Sequence, residues 1–355
     1  MFIALIPDMK FIDKLFSGPI DIVGDVHGEI DALDALLGHL GYAADGRHGD
    51  GRRLVFLGDL TDRGPDSPAV LKKVRALIES GAAQMILGNH ELNLLRDVDK
   101  DGNRWWVDPG APREHPAAPI EVGEKPAMKS FLAKQPMARE REDLRIVHAC
   151  WNNVAIAEMR RRETDGLPLL ALYDEYTEAV NQRWGSKAGA ASLKKEWQAH
   201  GRQLRNRDWT PVYMPATAAM DRQYQMGNPL RVLTSGEEQE TDTPFWAGGK
   251  WRMLERVKWW QNYDEPVPVI IGHYWRRFSQ ARTVFSDKFG PDLFAGVEPH
   301  QWMGKQSNVY CVDFSVGGRY AQRAGNEPEH HCSLAAVRVP EWQVMHDNGE
   351  VWKIA

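Results

Sequence analysis

Five short apolar runs frame this chain, and each leads into a residue able to hold a metal ion or a proton. The runs cover residues 20–23, 54–57, 85–87, 145–147 and 267–271. Their length and aliphatic, β-branched content suit interior strands. Asp25 follows Gly24, Asp59 follows Gly58, Asn89 follows Gly88 and His273 follows Gly272, while His148 follows its run directly. A glycine there lets the backbone turn without a Cβ clash. The next side chain then lies at the carboxyl edge of the sheet, where sites in α/β proteins form.

Helical periodicity fills the gaps between the first runs. Ile30, Leu33, Leu36, Leu37 and Leu40 share one face, as do Val70, Leu71, Val74, Leu77 and Ile78, with Gly81 as a stop. This β-α-β-α-β opening predicts parallel strands joined by helical crossovers. Asp25, His27, Asp59 and Asn89 are thereby gathered on one edge.

Carboxylate, imidazole and carboxamide donors without a thiolate suit manganese, iron or zinc rather than copper or an iron–sulfur cluster. A carboxylate such as Asp59 can bridge two cations roughly 3.5–4 Å apart, and such a pair clamps both sides of an in-line displacement. Two divalent ions are the expected cofactor, manganese first.

The blocks G-D-V-H-G, G-D-L-T-D-R-G and G-N-H-E, followed by two later histidines, resemble the calcineurin-like metallophosphoesterase superfamily. The likeness falls near its branch of phosphoprotein phosphatases and diadenosine tetraphosphatase-like enzymes. It implies an α/β fold, a four-layer α/β/β/α sandwich, here with a mostly helical cap insertion. It also implies Asp25 and His27 on one metal, Asp59 bridging, and Asn89, His148 and His273 on the other. Asp62 and His90 resemble the pair in which a carboxylate orients an imidazole that protonates the leaving oxygen. Arg63 resembles an arginine whose planar guanidinium grips phosphate. The implied reaction is hydrolysis of phosphomonoesters, Ser/Thr phosphoproteins among them, by direct attack of a metal-bridging hydroxide.

The later segments depart from that pattern. Ala149-Cys150-Trp151 stands where the protein phosphatases place two glycines, and Trp151 is a candidate to shape the substrate pocket. Arg276 and Arg277 follow His273 closely enough to be candidate substrate contacts. Asp313 ends a strand pattern and reads equally as an acceptor that orients a metal-bound histidine or as a turn former. The chain also offers His115, His200, His300, His330 and His331 as alternatives to His148 and His273.

Candidate ligands run from Asp25 to His273, so 1–355 reads as a single catalytic domain rather than two halves. Residues 97–142, rich in proline, read as a loop insertion with a short helix near Met128. Residues 160–262, with helix-like stretches at 169–184 and 192–205, read as a cap or side subdomain. Many of the 14 tryptophans fall in or beside these insertions, where indoles pack the cap onto the core or stack on a nucleobase.

A formal net charge of -5 gives no general attraction to nucleic acid, and the Arg202, Arg205 and Arg207 cluster reads as a solvated helix face. No apolar stretch approaches membrane-spanning length. Three cysteines make no disulfide framework, and the first residues carry no secretory signal, so a cytoplasmic location is expected. The expected partner is a phosphorylated substrate: a phosphoprotein, a nucleotide or a small phosphomonoester. Two other functions fit the same residues, a dinucleoside polyphosphate hydrolase and a silent binding scaffold. The scaffold is disfavoured because neither a ligand nor the acid is missing.

Overall fold

The computed structural model describes residues 10–100, 102–110, 117–277, 291–325 and 332–355. His115, His330, His331 and part of the 97–142 insertion lie outside the described residues. Two sheets carry the fold. One is ordered β1 (Ile12–Lys14), β5 (Ala138–Arg141), β6 (Leu144–Val147), β9 (Val269–Ile271) and β10 (Val309–Cys311). The other runs β13 (Val351–Lys353), β12 (Gln343–His346), β11 (Ala335–Val339), β2 (Ile20–Val23), β3 (Arg53–Phe56) and β4 (Ala83–Met85). Strands β2, β3 and β4 are parallel, as are β6, β9 and β10.

Side-chain alternation sorts the strands into layers. Ile20, Ile22, Val55 and Leu57 join Ile146, Ile270 and Val337 in one apolar cluster shared by both sheets. Val23, Leu54 and Phe56 face the other way. They pack with Leu33 and Leu36 of α1 (Ile30–Leu40) and with Val70 and Val74 of α2 (Ser67–Glu79). Val147, Val269 and Ile271 likewise pack with α6 (Asn153–Arg162) and α10 (Pro229–Ser235). The result is the expected α/β/β/α sandwich. Full burial of each such aliphatic side chain stabilises it by about 1.5–3 kcal/mol.

Both crossover helices begin and end for local reasons. The Asp66 carboxylate accepts from Ala69 N at 2.8 Å and caps α2, with Pro68 in its first turn. Gly41, in the left-handed region at φ 91°, ends α1. Asp21 sits in the otherwise apolar β2 but faces the helices. There it accepts from Tyr42 at 2.8 Å, Arg52 at 3.0 Å and Arg338 at 2.9 Å, so its buried charge is paired and hydrogen-bonded.

After α3 (Asn89–Leu95), which follows β4, the insertions hold α4 (Arg104–Val107), α5 (Lys125–Leu132), α7 (Leu169–Trp184), α8 (Lys187–His200) and α9 (Pro215–Met226), with α11 (Arg319–Gly325) near the end. The segment 160–262 is not helical throughout. The Thr-Pro-Gly-rich passage forms a hairpin of β7 (Glu238–Ala247) and β8 (Lys250–Arg256), with a register break between Glu240 and Phe245. Pro244 falls within that break, where its missing N–H disturbs no ladder bond.

Candidate metal centre

The carboxyl ends of five strands converge. From the six-stranded sheet, Asp25 and His27 follow β2, Asp59 follows β3, and Asn89 follows β4 as the first residue of α3. The other sheet supplies His148 after β6 and His273 after β9. All six expected ligands are buried or at the base of α3. The loops are laced together: Val26 N and His27 N donate to the Asp59 carbonyl at 3.0 and 2.9 Å.

Glycine matters here for closeness. A Cβ on Gly88 would meet Asp59 Oδ1 at 2.2 Å, and one on Gly272 would meet Asp25 Oδ1 at 2.1 Å. Both carboxylates therefore lie directly against backbone. Left-handed backbone is also concentrated at this edge. His27, Asp59, Asp62, Arg63, His273 and Trp275 all have φ between 47° and 75°, a region that L-residues enter at a cost.

The donor atoms fall into two groups that share one carboxylate: His27, Asp59 and His90, and Asp59, His148 and His273, with each group's atoms within 4.8 Å of one another. Asp25 Oδ2 stands 3.9 Å from His27 Nε2. The atoms approach without bonding. His148 Nε2 lies 3.2 Å from Asp59 Oδ2, yet it and His273 Nε2 are buried with no hydrogen-bond partner. The Asn89 amide lies against His273, its NH2 the natural donor to His273 Nδ1 at 2.8 Å and to the Thr234 carbonyl at 3.2 Å. Two buried imidazole nitrogens without partners, ranged beside a carboxylate that both donor groups share, fit divalent cations.

The electrostatics agree. Burial, with Asp313 next to it, pushes the Asp25 carboxyl well above the usual range. Burial also acts to raise Asp59, but the His148 and His90 rings outweigh it and hold that carboxyl low. His148 is lifted to about 10, since Asp59 and Asp25 overcome the opposing effect of burial. Burial, with Arg63 and Arg256 respectively, drives His27 and His273 down. Protons thus occupy positions at this edge for which cations compete.

Beside the ligands stands a hydrogen-bonded chain of side chains. Asp62 Oδ2 lies 2.5 Å from His90 Nδ1, and Trp105 Nε1 donates to Asp62 Oδ1 at 2.7 Å. Ser67 Oγ accepts from Asp62 N at 2.8 Å. With Nδ1 turned to Asp62, His90 presents Nε2 toward the ligand side, 3.8 Å from Asp59 Oδ2. Arg63 rests on His27, with Nη1 2.6 Å from Nε2, and its guanidinium lies 4.7 Å over the Trp275 ring.

Three contributors escaped the sequence reading. Glu91 accepts from the backbone N–H of Asp59, Leu60 and Gly88 at 2.8 to 2.9 Å, so it fixes two ligand loops at once; its place in G-N-H-E was the available signal. Trp105 reaches Asp62 from α4, inside the 97–142 insertion, and no local pattern reveals that. Trp275 lies where Arg276 was expected. A Glu91→Gln variant sets an amide NH2 against at least one of the three N–H groups. Its expected loss is about 1–3 kcal/mol of stability, measured by urea unfolding, and an unchanged midpoint would refute this role.

Other expectations need correction. Trp151 is buried in the core under the Arg145 guanidinium, 4.8 Å away, because the chain has already turned toward α6. Arg276 is also buried. Its guanidinium donates to the carbonyls of Cys311, Glu298 and Gln301, so it ties down a loop and is spoken for. Asp313 accepts from the amides of Trp275 and Ser315, both at 2.8 Å, not from a histidine ring. It shapes the backbone after His273. Arg277 is half-buried.

Comparison with known proteins points the same way. Residues 18–156 match the family model for calcineurin-like phosphoesterases. Over 80 residues, 22% of this chain and 32% of the relative, the sequence is 48% identical to a bis(5'-nucleosyl)-tetraphosphatase PrpE [asymmetrical] of Oceanobacillus iheyensis. A symmetrical bis(5'-nucleosyl)-tetraphosphatase of Pectobacterium carotovorum is 29% identical over 165 residues, 45% of this chain and 54% of that protein. The chain thus spans about a third to a half of the length of these relatives. A cold-active protein-tyrosine phosphatase from Shewanella superposes over 99% of this chain and 83% of its own, with 14% identity and a TM-score of 0.46, too loose a likeness to argue from.

Proposed function

We propose, on the premise that residues 18–156 are a calcineurin-like phosphoesterase domain, that this chain hydrolyses phosphoric esters at a two-cation centre. One observation carries the reading: two groups of potential ligands share Asp59, and His90 of the first is hydrogen-bonded to Asp62. Asp25 and His27 would hold one cation, Asn89, His148 and His273 the other, and Asp59 both. Manganese suits these donors, with iron or zinc as alternatives. Once bound, two such cations supply an acidified water and neutralise charge on the phosphoryl oxygens.

The remaining work belongs to side chains. Arg63 binds two phosphoryl oxygens through its planar guanidinium, steadied by the Trp275 ring. His90, charged, donates from Nε2 to the departing oxygen while Nδ1–H stays on Asp62. Asp62 stabilises the imidazolium and fixes the ring, and Trp105 fixes Asp62.

Phosphomonoesters, phosphoproteins included, are the first substrate reading. The names of the matched relatives favour a second, cleavage of dinucleoside polyphosphates. Parallel kinetics with manganese on para-nitrophenyl phosphate, a phosphopeptide and diadenosine tetraphosphate decide between them. The first reading predicts that the monoesters turn over fastest, and a strong preference for the dinucleotide would replace it with the second. Hydrolysis of none of the three with manganese, iron or zinc would remove both. The three cysteines, buried and free, suit a cytoplasmic setting. Among the described residues no helix is long and apolar enough to cross a membrane.

A further inference from the structure

A cavity of about 690 Å³ opens between α9, the start of α10 and the β7–β8 hairpin. Five cationic side chains line it: Lys100, Arg231, Lys250, Arg252 and Arg256. None of them forms an ion pair with a described residue. Other arginines of this fold are paired closely with carboxylates, as Arg52 is with Asp21 and Arg162 with Glu175. Three carboxylates, Asp221, Glu238 and Glu255, also line the pocket, which leaves an excess of two positive charges.

The crowding has a measurable sign. Burial, together with the neighbouring Arg252, holds the Lys250 amine below its usual range, and burial holds Arg252 down as well. Asp221 and Glu238 offset part of this, but half-buried cations that outnumber the carboxylates around them gain from an incoming anion. One lining residue, Arg256, links the pocket to the segment that carries His273. The Arg256 guanidinium lies 5.7 Å over the ring of Tyr274, the residue after His273. Phe245 and Trp251 add aromatic surface to the wall.

We propose that this pocket binds a further phosphate group of a substrate that carries a phosphate chain, a subsite that an ester with one isolated phosphate leaves empty. The inference deepens the phosphoesterase reading and rests on it for the word substrate. Guanidinium and ammonium groups on several elements can follow a chain of phosphates, each bond charge-assisted. The chain could belong to a nucleotide, with its base on Phe245, or to inorganic polyphosphate.

The test is calorimetric titration of the full-length, manganese-loaded protein, with inorganic phosphate saturating the catalytic centre. Its probes are the α,β-methylene analogue of ADP, tripolyphosphate and adenosine. The first two are expected to bind. Arg252→Gln and Lys250→Glu are each expected to weaken that binding by about tenfold or more, while adenosine binds weakly in all three proteins. Tighter binding of the ADP analogue than of tripolyphosphate assigns the base contact; the reverse assigns the phosphate chain alone. Unchanged affinity in both variants, or adenosine binding as tightly as the ADP analogue, overturns the proposal. Hydrolysis of para-nitrophenyl phosphate, too small to reach the pocket, is expected to stay at the wild-type rate in both variants. That assay reports folding, and it reports the phosphoesterase reading separately.

Discussion

Asp59→Asn is expected to release both cations at once and to abolish turnover. Asp59 is the one side chain common to both donor groups, with Oδ2 3.2 Å from His148 Nε2 and 3.8 Å from His90 Nε2. An amide there carries no charge and turns an NH2 toward one of those rings. Changes to residues outside the ligand set typically lower metal affinity about 10–100-fold, and removal of a bridging carboxylate should exceed that. Elemental analysis after dialysis checks this without any substrate. A variant that kept two metal equivalents per chain would show that the carboxylate does not bridge. His27 or His273 variants, each in one group only, should lose a single equivalent.

The second large effect depends on the leaving group. With His90→Asn, esters of basic alcohols should be hydrolysed about 10²–10⁴-fold more slowly, the usual range for a lost general acid. A nitrophenolate needs no proton to depart, so its ester should be affected far less. The slope of log kcat against leaving-group pKa is the measurement, and it should steepen in the variant. An equal loss across the series would mean that His90 serves mainly as a ligand, a role open to it because it sits with His27 and Asp59 in one donor group.

How much of this was legible in advance depends on the range of the interaction. Asp25, His27, Asp59 and Asn89 could be placed because strand, glycine and ligand are contiguous, and a parallel sheet puts every such junction on one edge. His148 and His273 followed from the same pattern. Side chains just past those junctions could not be aimed. At Trp275 the backbone turns left-handed, φ 57°, which brings the indole toward Arg63 and sends Arg276 inward to backbone carbonyls. Trp151 was judged by its nearness to His148, but by then the chain had entered the helical layer. The β7–β8 hairpin was hidden because its threonines, proline and glycines read as turn signals, while its pairing is settled by partners across the ladder. Trp105 lies 43 residues from Asp62, and only the folded chain joins them.

The six left-handed residues at the metal edge bear on how this protein can change. The two aspartates enter that region at little cost, while the other residues each oppose folding by up to about 1–2 kcal/mol, which counts against a domain's net stability of about 5–15 kcal/mol. Glycine at those positions would relieve the backbone but remove a candidate ligand or its neighbour, so heat tolerance and an intact metal edge pull in opposite directions. Attempts to make the protein hardier should leave that edge alone and seek their gains in the outer helices and the hairpin.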